Sequence, residues 1–348
     1  MMIDDAGSMI HDVLPSPDPM RPPRLTAILV ICGPFRSAEK VMRQLVAQTA
    51  VADIEMIVAT DVPANLELAE SYLKHFGGVQ KVVGDVRFLP HLRAACAQRA
   101  RAPFVAFCED HSFPEPTWAA ELIAAFESDP RVAAAAPAMV NPNPVHPVSR
   151  AQFAAYFARA GKDRWEHGNH VVNGLPWHNS AYRADVLRTV GDELGHELEV
   201  EGFLQERIAR TMPATRFVLV ARTAINHVNV SMIGPACRHA FVGGRIFASE
   251  RGARLGWSPL RRFVQAMGSP LVPFVRLLRD RHLLNATTRG PLDAVNLWMN
   301  AFAMALFHAA GEATGCLFGG ANLIPVYSNF ECRRARFVRA EDVGLLED

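Results

Sequence analysis

The sequence has little net charge and no cysteine pattern that would bind a metal. Its 348 residues contain 36 Lys and Arg against 35 Asp and Glu, which gives a formal net charge of +1 at pH 7. The charge balance gives no sign of a nucleic-acid partner, and we expect none. The six cysteines form no CxxC pair or other metal-ligand spacing, so a cysteine-based metal site is not expected either.

From the sequence we expect neither a secretory signal peptide at the N-terminus nor a membrane-spanning segment. Residues 1–23 carry Asp4 and Asp5 near their start and hold scattered prolines, where a secretory signal would have a basic start and an apolar run, so we expect a disordered leader. The best candidate for a membrane span, Leu297 to Ala310, is interrupted by Asn300 and His308. We therefore expect a cytoplasmic protein.

The last third of the chain is rich in arginine. Residues 238–289 contain ten arginines and two acidic residues. Such a stretch could face phosphate groups or an anionic membrane surface, or it could be a solvated face with neighbouring counter-charges. The segment from Asn296 to Gly320 fits either a buried helix or an interfacial helix lying on a membrane. Contact with the inner face of a membrane is therefore an open expectation.

Strands and helices alternate from Leu25 to Cys108, within a predicted domain of residues 24–230. Apolar runs predict strands at Leu25–Ile31, Ile54–Ala59, Lys81–Val83 and Phe104–Cys108, with helices between them. This alternation predicts an α/β domain with a parallel sheet covered on both faces, in which ligands bind beyond the carboxyl ends of the strands. Residues 231–348 are predicted to form a mainly helical, Arg-rich C-terminal extension.

A cluster of polar residues follows the fourth predicted strand. Glu109, Asp110 and His111 come directly after Cys108, and two prolines then keep the chain extended. Carboxylates at a strand end can hold a divalent cation, which in turn can bridge the phosphate oxygens of a nucleotide sugar. The alternative is that these residues only cap a turn, and this segment alone does not separate the two interpretations.

The order of several motifs resembles glycosyltransferase family 2. The acidic segment and the following Pro114-Glu-Pro-Thr-Trp118 resemble the family's DxD-like motif with its Pro-x-Pro-x-Trp-like continuation. Residues 45–61 look like its first helix and second strand, and residues 178–183, 199–207 and 226–229 resemble its acceptor, catalytic-base and metal-closing segments. The resemblance covers roughly residues 25–229.

This resemblance implies a GT-A fold, with a mostly parallel sheet flanked by helices, and an activity. The expected reaction moves a sugar from a nucleoside-diphosphate sugar to an acceptor hydroxyl, with inversion and with a divalent metal, Mn²⁺ or Mg²⁺. The QxxRW signature of processive synthases is absent, so we expect transfer of single sugars. The sequence leaves the acceptor open, with a lipid-linked molecule or a glycan as candidates.

The resemblance also implies a role for each matching residue. Glu201 is the expected general base, and Glu199 takes that role if the alignment shifts by two residues. The other candidates are Asp61, Arg93, Glu109 and Asp110 for the nucleotide sugar, Trp177, His178 and Asn179 for the acceptor, and Asp110, His111 and His227 for the metal. Ordinary structural roles compete with several of these, since an acid in a first helical turn, a core histidine and a core tryptophan are all common.

Three positions depart from the family pattern. His111 stands where aspartate is usual and suits Mn²⁺ better than Mg²⁺; Ala94 replaces an asparagine; and Thr60 occupies the usual acid position, with Asp61 beside it. These departures keep open a non-catalytic nucleotide- or sugar-binding relative. A sugar-phosphate nucleotidyltransferase is the other alternative, although residues 32–37 are too poor in glycine and arginine for its phosphate loop.

Overall fold

The computed structural model describes residues 11–13 and 22–347. Within them, ten strands form one sheet: β1 His11–Val13, β2 Leu25–Ile31, β3 Ile54–Thr60, β4 Gly78–Val83, β5 Phe104–Cys108, β6 Ser112–Pro114, β7 Val132–Val140, β8 Asn169–Val172, β9 Ala181–Arg183 and β10 Arg216–His227. The α-helices are α1 Arg36–Val46, α2 Ala64–Leu73, α3 Leu89–Gln98, α4 Trp118–Ser128, α5 Pro147–Tyr156, α6 Ala184–Val190, α7 Leu194–Glu199, α8 Glu201–Thr211, α9 Ile233–Arg254, α10 Pro259–Gly268, α11 Val272–Asn285, α12 Pro291–Phe318, α13 Ile324–Cys332 and α14 Ala340–Glu347.

The strand order of the sheet is β1-β4-β3-β2-β5-β9-β7-β10-β6, and β8 pairs with β10. The longer pairings, of β2 with β3 and β5, β3 with β4 and β7 with β10, are parallel, whereas the short strands pair antiparallel. Every residue of β2, β3 and β5 is buried, as expected for apolar strands covered on both faces. The predicted α/β fold, with a helical C-terminal region, is therefore confirmed.

The chain divides into two compact units. The first takes Met1–Val140, Ala160–His227 and Leu346–Asp348, and the second takes Asn141–Arg159 and Val228–Leu345. The first unit holds the whole sheet, and the second holds α5 and α9 to α13. The predicted domains, 24–230 and 231–348, remain a prediction. Of the predicted leader, His11–Val13 forms β1 and pairs with β4, while residues 1–10 and 14–21 lie outside the described residues.

Glycines allow the two longest helices of the second unit, α9 and α12, to pack with their backbones in contact. A Cβ atom added at Gly311 would lie 2.1 Å from the carbonyl oxygen of Phe241, and one added at Gly315 would lie 2.2 Å from that of Arg245. These separations leave no room for a methyl group. The inner side of α12 is therefore fixed against α9 along its C-terminal half.

Replacing Gly311 by alanine is expected to destabilise the protein by about 1–3 kcal/mol, because the added methyl group must push α9 and α12 apart. The matched control is Gly234→Ala in the first turn of α9, where no heavy atom of the described residues lies within 4 Å of the added Cβ. There the better helix propensity of alanine should raise stability by up to about 1 kcal/mol. Chemical unfolding followed by circular dichroism measures both; equal stability of the two variants would contradict the packing.

Candidate active site

The polar cluster at the end of β5 is completed by the far end of β10. After Cys108 the chain turns through Glu109, Asp110 and His111 and enters β6, which pairs antiparallel with β10. This register sets His227, the last residue of β10, opposite Ser112. A histidine from the end of the sheet's longest strand is thereby brought beside the acidic turn.

Glu109, His111 and His227 form a buried group of three metal-ligand side chains. Their ligand atoms all lie within 4.8 Å of one another. The Nε2 atom of His111 lies 3.6 Å from Glu109 Oε2, and the Nε2 atom of His227 lies 3.7 Å from the same oxygen. The structure thus brings together three of the predicted residues, with Glu109 in the place expected for Asp110.

Neighbouring side chains hold this group in position. Asp110 Oδ1 lies 2.9 Å from His111 Nδ1, so a proton on Nδ1 can be donated to the carboxylate and the lone pair of Nε2 is left toward Glu109. Ser112 Oγ and Asn179 Nδ2 both donate to Glu109 Oε2, at 2.9 and 2.8 Å. Asn179, predicted on the acceptor side, is therefore bonded to the carboxylate of Glu109, and Asp110 orients the His111 ring from outside the group.

Arg93 connects this group to a second part of the site. Its guanidinium is buried on α3, with Nη2 3.8 Å from Glu109 Oε1 and Nη1 3.1 Å from His178 Nδ1. Its Nε atom makes no hydrogen bond within the described residues, and neither does the Oδ1 atom of the buried Asn179. Buried polar atoms usually have partners, so these two atoms suit a bound ligand.

Glu201 is buried at the first residue of α8, with both carboxylate oxygens hydrogen-bonded. Its Oε1 atom accepts from the Tyr182 hydroxyl at 2.6 Å, and its Oε2 atom accepts from the backbone N–H of His178. Burial raises the pKa of the Glu201 carboxyl, while the His178 N–H, the Tyr182 hydroxyl and the Arg93 charge oppose that rise. A carboxylate with a raised pKa is better suited to accept a proton near neutral pH.

The backbone of His178, which donates its N–H to Glu201, has an unusual conformation. His178 has a φ of +66°, a left-handed conformation that non-glycine residues rarely adopt. Strained backbone of this kind occurs where the surroundings impose it, often at functional sites. Trp177 lies against the start of α8, because a Cβ added at Gly202 would be 2.9 Å from its Cζ2 atom. Trp177 and His178 are thus brought next to Glu201.

Glu199, the substitute base, belongs to a different cluster. Its Oε1 atom lies 3.0 Å from His91 Nε2 and 3.4 Å from His196 Nδ1. These three side chains could also hold a metal ion. Glu199 is thus engaged by two histidines, whereas Glu201 is bonded to Tyr182 and His178.

Asp61 lies apart from these residues, one position beyond the end of β3. Its side chain is exposed, and it contributes, after Asp85, to raising the pKa of the Arg87 guanidinium. Thr60 uses its hydroxyl locally, accepting from the N–H of Val62 and from Asn65 Nδ2 at 3.1 Å. At the end of β3, where the family pattern has an acid, the structure thus has a buried threonine followed by an exposed aspartate.

Tyr182 and Ser112 are site residues that were not predicted individually from the sequence. Tyr182 lies in the three-residue strand β9, and Ser112 lies in the three-residue strand β6. Strands this short give no readable alternation of polar and apolar residues. The only signal for Tyr182 was its position inside the segment 178–183 that resembles the family.

The fold and the site define a GT-A type α/β protein with a carboxylate–histidine cluster at the ends of its strands. The sequence model described as Glycosyl transferase family 2 matches residues 31–191, which confirms the predicted resemblance to that family. Glu201 and His227 lie beyond the matched residues. A sequence comparison with curated proteins finds no match.

Two solved structures are similar at low sequence identity. One is described as GalNAc-T7 with UDP, GalNAc and Mn²⁺; it is 12% identical with a TM-score of 0.43, over 59% of this chain and 43% of that one. The other is the mannosyltransferase PcManGT from Pyrobaculum calidifontis in complex with GDP-Man and Mn²⁺. It is 16% identical with a TM-score of 0.49, over 86% of this chain and 89% of that one.

Proposed function

We propose that the protein transfers a single sugar from a nucleoside-diphosphate sugar to an acceptor hydroxyl, with inversion and with a divalent metal. The observation that carries this proposal is the buried group of Glu109, His111 and His227, connected through Arg93 and His178 to a buried carboxylate at Glu201. The group of Glu109, His111 and His227 suits the binding of a diphosphate through a cation, and the carboxylate of Glu201 suits a proton transfer.

The ligand set fits a divalent transition metal. One carboxylate and two neutral imidazoles are ligands that Mn²⁺ accepts, whereas Mg²⁺ prefers oxygen ligands alone. When bound, such a cation would neutralise the charge that develops on the leaving diphosphate. Asp110 supports this role from outside the group, because its bond to His111 Nδ1 fixes the ring and keeps Nε2 available as a ligand.

The remaining site residues act on the two substrates. Arg93 supplies a buried positive charge and an Nε–H that can donate to a phosphate oxygen of the donor. Glu201 takes the proton of the acceptor hydroxyl as that oxygen attacks the anomeric carbon, and Tyr182 and the His178 N–H hold its carboxylate in place. The half-buried Trp177 and His178 provide the surface on which the acceptor sugar or alcohol rests.

The proposal is tested by a thermal-shift titration of UDP, GDP, dTDP and CDP, each with Mn²⁺, with Mg²⁺ or with EDTA. A nucleotide that binds only the folded state raises stability by about 2.7 kcal/mol at 100 times its Kd. We expect one nucleotide to raise Tm with Mn²⁺ and not with EDTA. If no nucleotide shifts Tm with either metal, the transferase proposal is wrong.

The departures from the family pattern at Thr60, Ala94 and His111 keep one competing function open, a nucleotide- or sugar-binding protein without catalysis. A metal-dependent shift with one nucleotide, but no release of nucleoside diphosphate from the matching sugar donor in the presence of glycan and lipid-linked acceptors, would favour that role. Consumption of nucleoside triphosphate with a sugar phosphate would instead indicate a nucleotidyltransferase.

We also propose a cytoplasmic location at the inner face of a membrane. The supporting observation is that α12 is long and apolar enough to cross a membrane by length and composition, although part of it is buried inside the protein. The segment is longer than the stretch 297–310 considered from the sequence. Fractionation of cells that express the full chain tests this location. The proposal requires that the protein is recovered in the membrane fraction and lies on the cytoplasmic side of the membrane.

A further inference from the structure

Three helices of the second unit carry large apolar side chains on their exposed sides. On α10 they are Leu260, Phe263, Val264 and Met267, each more than half exposed. On α11 and the turn before it they are Leu271, Phe274, Val275 and Leu278, also more than half exposed. On α12 they are Leu292, Val295, Met299, Phe302 and Leu306. We call these side chains the apolar face.

The spacing of the apolar face shows that it is built into the helices. On α10 and α11 the exposed residues recur at i, i+3, i+4 and i+7, and on α12 they recur every three or four residues, so each set forms one stripe. The opposite sides of these helices are packed in the interior through Ala266, Leu284, Leu297 and Met304. Each helix is thus apolar on its inner side and again on its outer side.

The stripes are continuous across the helices. The Phe274 and Phe302 rings lie 5.8 Å apart, which joins the stripe of α11 to that of α12. The single turn Ser269–Leu271 joins α10 to α11 and carries one exposed leucine itself. Soluble monomers rarely expose a contiguous apolar surface of this extent, so this surface calls for a covering partner.

The charge around the apolar face identifies that partner. Residues 251–289 contain eight arginines and a single acidic residue, Asp280, which is bonded to Arg159 and Arg279. Arg261 on α10, Arg281 on α11 and Arg289 just before α12 are exposed, as is Arg254 at the end of α9. Apolar side chains bordered by arginines match an anionic bilayer, whose acyl chains accept the former and whose phosphates attract the latter.

We propose that α10, α11 and α12 dock in the plane of an anionic membrane surface through the apolar face. Although α12 has the length to span a bilayer, its inner side packs against α9 through Gly311 and Gly315. A spanning arrangement would break that contact and would bury the carboxylate of Glu312, which pairs with Arg276 at 3.2 Å. Docking in the plane of the membrane keeps both the contact between α9 and α12 and the ion pair of Glu312 with Arg276.

The test is sedimentation of the full chain with vesicles of phosphatidylcholine alone or with 30% phosphatidylserine. We expect binding to the anionic vesicles that weakens with salt, and release of the bound protein by alkaline carbonate. The triple variant L260Q/L278Q/L292Q should bind at least 100-fold more weakly, since each leucine contributes roughly a tenfold factor when buried in lipid. The control is Leu68→Gln on α2, whose leucine is also more than half exposed and lies outside the apolar face.

Other results would overturn the proposal. Equal binding of the triple variant and wild type, or no binding to either vesicle, contradicts docking through this face, and resistance to carbonate contradicts an in-plane position. Concentration-dependent dimers in light scattering that the triple variant abolishes, without vesicle binding, would assign the face to a second copy of the chain. The nucleotide-dependent thermal shift is measured on the same variants, so failure of docking and failure of the proposed function are distinguishable.

Discussion

Glu201→Gln is expected to lower kcat by about 10²- to 10⁴-fold while leaving the protein folded, since positioned proton transfer contributes a factor of this size. The amide oxygen of glutamine can still accept from the His178 N–H, and its NH₂ group can donate to the Tyr182 oxygen. The exchange therefore removes the basicity of the side chain and keeps its contacts. Affinity for the nucleotide, measured by calorimetry with Mn²⁺, should be unchanged.

The matched control is Glu199→Gln, which changes the carboxylate two residues before Glu201, at the end of α7. Its carboxylate contacts His91 and His196, whereas the carboxylate of Glu201 is bonded to Tyr182 and His178. We expect less than a tenfold change in kcat for this variant. If the two variants lose activity equally, or if only Glu199→Gln does, the assignment of Glu201 as the base is wrong.

The pH profile gives a second, independent check on Glu201. The base acts only when ionised, and burial raises its pKa, so kcat should fall as the pH drops through that raised value. The Tyr182 hydroxyl opposes the rise by bonding to the carboxylate. In Tyr182→Phe the acid limb of the kcat profile should therefore move to higher pH. If the acid limb of the kcat profile does not move in this variant, a group other than Glu201 controls the pH dependence of kcat.

The sequence was sufficient to predict the parallel strands at the centre of the sheet, because these strands are uninterrupted apolar runs. Leu25–Ile31 and Phe104–Cys108 were predicted with the bounds that the structure shows, since fully buried parallel strands are uninterrupted apolar runs. The strands β6 and β9 were missed because three residues carry no periodicity. Yet β6 is the strand that pairs with β10 and brings His227 to the acidic turn, so the ligand group depends on a pairing that local pattern does not reveal.

The same limit explains the roles within the acidic turn. Sequence order alone does not tell which of two adjacent carboxylates faces inward, because that depends on the turn between β5 and β6. The structure turns Glu109 toward both histidines and Asp110 toward the far side of His111. Asn179 was likewise grouped with the acceptor by its neighbours in sequence, while its side chain reaches Glu109. The orientations of Glu109, Asp110 and Asn179 therefore follow from the three-dimensional structure and not from local sequence.

His227→Gln is expected to weaken Mn²⁺ binding by more than 100-fold and to lower kcat/KM by at least about 10²-fold, because it removes one of three ligands of the proposed cation. Asp110 provides a graded comparison. In Asp110→Asn the amide oxygen still accepts from His111 Nδ1, so the loss should be about tenfold or less, whereas Asp110→Ala frees the ring and should cost about 10- to 100-fold in affinity.

Titration of Mn²⁺ followed by electron paramagnetic resonance measures these affinities without turnover, and circular dichroism confirms that each variant is folded. The expected order of Mn²⁺ affinity is wild type, Asp110→Asn, Asp110→Ala and His227→Gln. If Asp110→Ala binds more weakly than His227→Gln, Asp110 is itself a ligand, as the sequence resemblance implied, and the outward orientation of its carboxylate changes on binding. If all four bind Mn²⁺ equally, the strand-end cluster is not the cation site, and the diphosphate must be neutralised by Arg93 and its neighbours alone.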